Sequence, residues 1–237
     1  MKKFMLLAVV ALGLAACASV GPYPDGRVFE GSVTYGAYDV PLPEGRWTVF
    51  GKSETPDSAR FRLGLLALGR FRADGIVEQV ITIDTVLAYG SRRAGSWTLS
   101  RTCEREDMLY VKKVANTMSA RDCTFVNHVT PSSFSEGSVY GRLVNALRKR
   151  GAAIPANAIA VVFDQADSMN RLIVTVAFNP EADGLPPSPD PDWSDSEWNP
   201  RNINGFPERK AYVDKVIAWT QEWEPRIKAA FGRTRSR

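Results

Sequence analysis

ARFRLGLLALGRFRA (residues 59–73) and IVEQVITIDTVLAY (76–89) stand on either side of Asp74-Gly75. Both runs are rich in residues that suit a half-buried pleat, and Asp-Gly between two such runs is a strong hairpin signal. A type I′ turn needs positive φ at both central residues, and this pair tolerates it. With a two-residue loop, Leu66 and Leu68 face Ile83 and Ile81 on one side of the ribbon. Phe61 and Leu63 face Ala88 and Val86 on the other. Apolar pairs on both sides predict a long antiparallel hairpin at the centre of a sheet, covered on both faces over part of its length. A three-residue loop would shift this pairing, so the register depends on the turn. Alternation also gathers Arg60, Arg62, Arg70 and Arg72 on one face near the strand ends. There they are either an anion-binding stripe or solvated ends whose stems cover apolar neighbours.

Working outward, the N-terminal half reads as strands. Val28–Tyr35 is one, and Arg46–Phe50 follows the turn-rich PLPEG at 41–45. Downstream, Ser96–Arg101 and Met108–Lys113 are further candidates. The second half changes character. Ser133-Phe-Ser-Glu136 has the spacing of a capping box. Val139, Tyr140, Leu143, Val144 and Leu147 then form a helical stripe that Arg148-Lys149-Arg150 and Gly151 close. Ala158–Phe163 and Leu172–Phe178 read as strands. Asn179–Phe206 is a long, acidic, Pro-rich connection. Pro207 opens a last helix with Tyr212, Val216, Trp219 and Trp223 along one face, and Pro225 is expected to kink or interrupt it. The sum is an α+β fold over 28–237: a strand-rich N-terminal half with a long antiparallel hairpin, then a mixed C-terminal half with two main helices.

The N-terminus reads differently. Met1-Lys2-Lys3 is positive, and Phe4–Ala16 is entirely apolar or small, too short for the ~20 residues that cross a bilayer. A basic start, a short apolar core and small residues before a cut describe a secretory signal, with a buried N-terminal helix as the plain alternative. Leu14-Ala15-Ala16-Cys17 resembles the lipobox of bacterial lipoproteins. That resemblance implies that Met1–Ala16 is removed and that Cys17 carries the lipid. Acyl chains on Cys17 would then anchor the chain without a spanning helix, since stable anchoring takes more than one chain. Ala18 follows Cys17 in place of the Asp that marks inner-membrane retention in this family. The resemblance therefore implies the periplasmic face of an outer membrane. Residues 17–27 become a lipidated tether to a single periplasmic domain.

The 237 residues carry 30 Lys and Arg against 26 Asp and Glu, a formal charge of +4. Two of those lysines lie in the leader, so nothing here argues for a nucleic-acid partner. Arg233-Thr-Arg235-Ser-Arg237 is a short solvated tail or a contact for anionic headgroups or cell wall. With Cys17 assigned to lipid, Cys103 and Cys123 remain as an even pair. In an oxidising compartment they are expected to close a disulfide, the alternatives being a reactive thiol pair or two buried thiols. Their spacing suits neither a redox motif nor a zinc site.

Chemistry is sparse. The single histidine, His128, lies near Cys123 in sequence, which raises a cysteine–histidine dyad against an ordinary structural histidine. Asp190, Asp192, Asp195 and Glu197 offer hard oxygen ligands, but without the order of an EF-hand. The plainer reading is a solvated loop pinned by Trp193 and Trp198, which otherwise form an exposed platform. No spacing selects a carboxylate pair for glycoside hydrolysis, and no nucleophile elbow, P-loop or dinucleotide fingerprint is present, so no catalytic residue, metal or cofactor is assigned. The expected function is a non-catalytic binding or assembly component of the envelope. Its partners are membrane lipid through Cys17 and an envelope protein or the cell wall. An envelope hydrolase is the alternative, and a mainly structural surface protein a third.

Overall fold

The chain forms, in order, β1 (Val28–Phe29), β2 (Ser32–Tyr35), β3 (Tyr38–Pro41), β4 (Trp47–Glu54), β5 (Phe61–Phe71), β6 (Val77–Tyr89), β7 (Tyr110–Asn116), β8 (Ala120–Val129), α1 (Val139–Lys149), β9 (Ala158–Asp167), β10 (Arg171–Phe178) and α2 (Pro207–Thr234). The computed structural model describes residues 23–54, 61–89, 103, 107–188 and 193–234. The expected leader (1–16), Cys17, Arg60, the expected strand at 96–101, Asp190, Asp192 and residues 235–237 lie outside the described residues. Among the described residues no helix is long and apolar enough to cross a membrane.

The expected hairpin is β5–β6, but its turn is not type I′. Gly75 has φ +84° while Asp74 keeps a negative φ. The Gly75 N–H donates to the Arg72 carbonyl at 3.0 Å and the Arg72 N–H to the Ile76 carbonyl at 2.9 Å. The loop therefore has three residues, with glycine in the left-handed position that closes such turns. Alone, this loop would slip the register. A bulge at Glu78 cancels the slip, because Phe71 pairs with Val77 but Arg70 with Gln79. Leu66 and Leu68 thus face Ile83 and Ile81, and Leu63 faces Val86, as expected. A second bulge at Leu87 moves Phe61 from Ala88 to Tyr89.

Eight strands form one antiparallel sheet in the order β1-β4-β5-β6-β10-β9-β8-β7. The N-terminal strands run inward from one edge and the C-terminal strands from the other. They meet where β6 pairs with β10, Ile83 opposite Val174. The stretch 28–35 is not one strand. Gly31 turns the chain at φ +73°, β1 joins the sheet edge, and β2 pairs with β3 in a separate hairpin. Gly36, at φ +59°, begins the two-residue loop of that hairpin, and an added Cβ would lie 2.9 Å from the Val86 carbonyl oxygen. Tyr23–Arg27, the end of the stretch read as tether, already lies on the fold, with the Gly26 N–H bonded to Val49.

The two faces of the sheet are covered unequally. On one face, Leu66, Ile83, Phe163, Val174 and their neighbours pack under α2 and the β2–β3 hairpin, where Tyr38 stacks on Phe231 at 5.9 Å. This is the larger core. On the other face a smaller cluster, Phe50, Leu65, Ala67 and Val77, meets Leu143 and Leu147 of α1, with Val139 and Ala146 of the same helix packed against it. The α2 helix runs through Pro225 to Thr234 without interruption. The proline is exposed, as is Gln221, whose carbonyl loses its intrahelical donor, so water can serve that group.

The cap of α1 also differs from expectation. Ser133 ends a single 3₁₀ turn opened by Pro131, and no Ser133–Glu136 box forms. Ser138 is the cap, and its hydroxyl accepts the Gly141 N–H at 2.9 Å. The Ser135 carbonyl crosses so close to Gly141 that any added Cβ would collide with it. At the other end Gly151 (φ +72°) stops the helix as expected. Its N–H bonds to Arg148 and that of Ala152 to Leu147, the paired bonds of a Schellman motif.

Candidate functional site: an apolar cleft beneath α1

Because α1 rests over the β4–β5 side, the rest of that sheet face is left partly open. The floor of the resulting cleft follows from strand alternation. Val80 and Thr82 of β6, Thr175 and Ala177 of β10, and Ala158, Ala160 and Val162 of β9 all point the same way. On the opposite face the same strands carry Ile81, Val176, Ile159 and Val161, all buried in the larger core. The floor is therefore built of small side chains where the covered face has large ones. One wall is Leu143, Val144 and Leu147 of α1, and Phe134 stacks on Tyr140 at 5.3 Å along the rim. The cavity measures about 300 Å³.

Polar groups are few in this lining. Among the described residues Glu78 is its only acidic side chain, and Arg70 holds it at 2.8 Å. The Asn179 side chain is spent locally, donating to the Val77 carbonyl at 2.6 Å and accepting from Glu181 and Ala182. Beyond Thr82 the same face turns ionic. Asp84 pairs with Arg171 at 2.7 Å, and Asp164 with a deeply buried Arg121 at 2.6 Å. Burial first, then the nearby Asp164, raises the Asp84 carboxyl, while Arg171 and Arg121 oppose that shift.

The residues singled out in the sequence fall elsewhere. Cys103 and Cys123 are joined as a disulfide, Cα atoms 6.5 Å apart. His128 does not face Cys123. The two are five positions apart along β8, an odd step, so they point to opposite faces. The His128 ring stacks on Trp193 at 5.2 Å and on Trp198 at 6.1 Å, and its Nε2 bonds to Asn157 Oδ1 at 2.6 Å. Since the Asn157 amide nitrogen donates to Ser188, its oxygen accepts, and Nε2 carries the proton of a neutral imidazole. Desolvation lowers the His128 pKa below the ordinary 6.5, helped by the Arg209 charge, while the Asn157 bond opposes the shift.

Trp198 is buried, with the Arg209 guanidinium 4.8 Å from its ring, so it anchors the long loop. The same Arg209 pairs with Glu197. Among the described residues no group of three acidic, cysteine or histidine side chains is arranged for a metal ion. The arginine stripe is dispersed. Arg70 and Arg72 bind Glu78 and Asp74 at the turn end of β5, while Arg62 sits at the far end of that strand.

The cleft itself was not anticipated. Its signal was present in AIAVVF (158–163), where small and large residues alternate, and that contrast marks one floor left free and one core filled. Comparison with family models, with curated proteins and with solved structures finds no match to this chain.

Proposed function

We propose that this chain is a lipid-anchored bacterial envelope protein that binds one acyl chain in the cleft beneath α1, without chemistry of its own. The observation that carries the binding role is the cleft: an open, almost wholly apolar surface between a sheet and a helix, as ligand sites often are. Its size supports one chain. A cavity of roughly 150 Å³ holds one benzene, so about 300 Å³ suits on the order of a dozen carbons. A binder is favoured over a hydrolase because, among the described residues, the lining pairs no nucleophile with a base and its one carboxylate is already engaged by Arg70. The anchor rests on the Leu14–Cys17 lipobox, and an anchored protein would keep the cleft beside its source of lipid.

Photo-cross-linking tests this on the full chain. A twelve-carbon probe with a diazirine near its tail should label peptides bearing Val162, Ala177 and Leu143. Ala177→Phe should reduce that labelling about tenfold and leave labelling elsewhere unchanged. Labelling spread evenly over the surface, indifferent to Ala177→Phe, would remove the reading.

A further inference from the structure

A second recess lies on the opposite face of the sheet, and its chemistry is unlike that of the cleft. Arg70 of β5, Gln79 of β6 and Phe178 of β10 stand directly opposite one another in the ladder, so the three side chains share one face. They floor a groove at the turn end of the β5–β6 hairpin. Tyr212, Val216, Trp219 and Trp223 of α2 form one wall, and Pro43 and Glu44, between β3 and β4, form the other. The groove measures about 500 Å³, and all of its lining side chains belong to described residues.

Its aromatic wall is held at one angle. Trp219 stacks on Trp223 at 5.3 Å and meets Phe178 nearly at right angles at 4.9 Å. Trp219 is half-buried, whereas Tyr212, Trp223 and Phe178 are buried, so Trp219 is the ring most open to the groove. The facing turn is pinned as well. Trp47 Nε1 donates to the Pro43 carbonyl at 2.7 Å, and Arg70 donates to the Glu44 carbonyl at 3.1 Å. A site ordered in advance on both sides loses little freedom when it binds.

Charged groups are interleaved with these rings. Arg70, Lys215 and Arg226 line the groove together with Glu44, Asp183 and Glu222, so the lining has no net charge to favour an ion of either sign. Glu44 and Lys215 are exposed, and neither the carboxylate nor the ammonium has a hydrogen-bond or ion-pair partner among the described residues. The first can only accept and the second can only donate. An acyl chain laid here would take both away from water with nothing in return. The fitting ligand is uncharged, with an apolar face for Trp219 and hydroxyls around its edge that accept as well as donate. A pyranose with equatorial hydroxyls has that form, since its C–H bonds lie on the ring faces and its hydroxyls on the rim. The electron-rich face of an indole attracts such C–H groups. Since a cavity of roughly 150 Å³ holds one six-membered ring, about 500 Å³ suits about three.

We infer that this groove binds a short neutral oligosaccharide of gluco-configured rings, packed on Trp219 and hydrogen-bonded along its edge by Glu44 and Lys215. The groove lies on the face away from the acyl-chain cleft, so binding here does not depend on that reading.

The indole N–H resonances of the isotope-labelled full chain test this with cellotriose as the probe. Trp219→Phe and Trp223→Phe identify the two groove signals among the six tryptophans. Both signals should shift and saturate at about millimolar cellotriose, while Trp193 and Trp198, which pack around His128, stay in place. Lys215→Ala, an exposed change that spares the core, should weaken binding about threefold, and Trp219→Ala about tenfold. Unmoved Trp193 and Trp198 signals report that each variant is folded. A glucuronate trimer with the same linkage, bearing a carboxylate on every ring, should bind about tenfold more weakly than cellotriose. No shift of the groove signals up to about 10 mM cellotriose, shifts spread evenly over all the indoles, or an affinity that Lys215→Ala and Trp219→Ala both leave untouched overturns the site. Glucuronate binding as tight as that of cellotriose overturns the neutral class and leaves a saccharide groove indifferent to charge.

Discussion

A histidine flanked by two tryptophans is a place where one proton matters. Neutral His128 stacks on Trp193 and donates through Nε2 to Asn157, and Arg209 lies over the ring of Trp198. Protonation would put a second cation into this stack, which is why burial and Arg209 hold the imidazole pKa below 6.5. The sign follows from proton counting. Below 6.5 the unfolded chain binds a proton that the folded chain refuses, so stability falls with pH from there to the lowered folded value. Above about pH 7 both states are neutral and the contribution is constant. Because this is the chain's one histidine, its ring gives one set of proton resonances. A titration in the native protein should give a midpoint below 6.5, and a denaturation series should lose stability between pH 7 and 5. A midpoint at or above 6.5 contradicts the burial argument. Adjacency in sequence hinted at a partnership with Cys123, but strand alternation sends the two side chains apart.

Elements were legible where their signals are local. The β5–β6 hairpin, the α1 stripe, its Gly151 stop and the Pro207 start could all be read from short windows. The register in the middle of the hairpin was right for an incomplete reason, because a longer loop and the Glu78 bulge cancel. What stayed hidden were elements whose polar residues find partners only in the folded chain. β8, ARDCTFVNHV, carries Arg121 for Asp164, Asp122 for Lys228 and His128 for Trp193, so its alternation is masked by charges that the fold neutralises. The β2–β3 hairpin was hidden differently, by joining Val28–Tyr35 across Gly31. Tyr-Gly-Ala-Tyr at 35–38, with glycine leading a two-residue loop, was the overlooked cue. The α1 cap turns this into a measurement. Ser133-x-x-Glu136 matches the capping box, yet Ser138 holds the helix amide. Ser138→Ala should cost about 1 kcal/mol in chemical denaturation, and Ser133→Ala should stay within roughly 0.5 kcal/mol. The reverse order would place the helix start where the motif put it.

At the scale of the whole molecule, the sheet is two meanders joined at one seam, and the seam brings together residues far apart in sequence, Thr82 with Thr175. The cleft spans that seam: β6 comes from one half, β9 and β10 from the other. This is why no window of sequence could show it. The connection between the halves leaves β6 at the centre and reaches β7 at the far edge, and on the way Cys103 is tied to Cys123 of β8. A cross-link between residues 20 apart removes loop entropy from the unfolded chain, worth about 3 kcal/mol in the chain-entropy model. Its structural effect should be local, because β5, β6, β9 and β10 are braced by strands on both sides, whereas β7 has one neighbour among the described residues. Reduction should therefore lower global stability by about 3 kcal/mol. It should also speed amide hydrogen exchange first in Tyr110–Asn116, with smaller changes in β6 and β10. If exchange instead accelerates evenly across the sheet, the bond secures the seam and not the edge. The cleft floor would then depend on it, and probe labelling of Val162 and Ala177 should fall on reduction. If the edge alone loosens, labelling should survive, and the cleft belongs to the braced centre of the sheet.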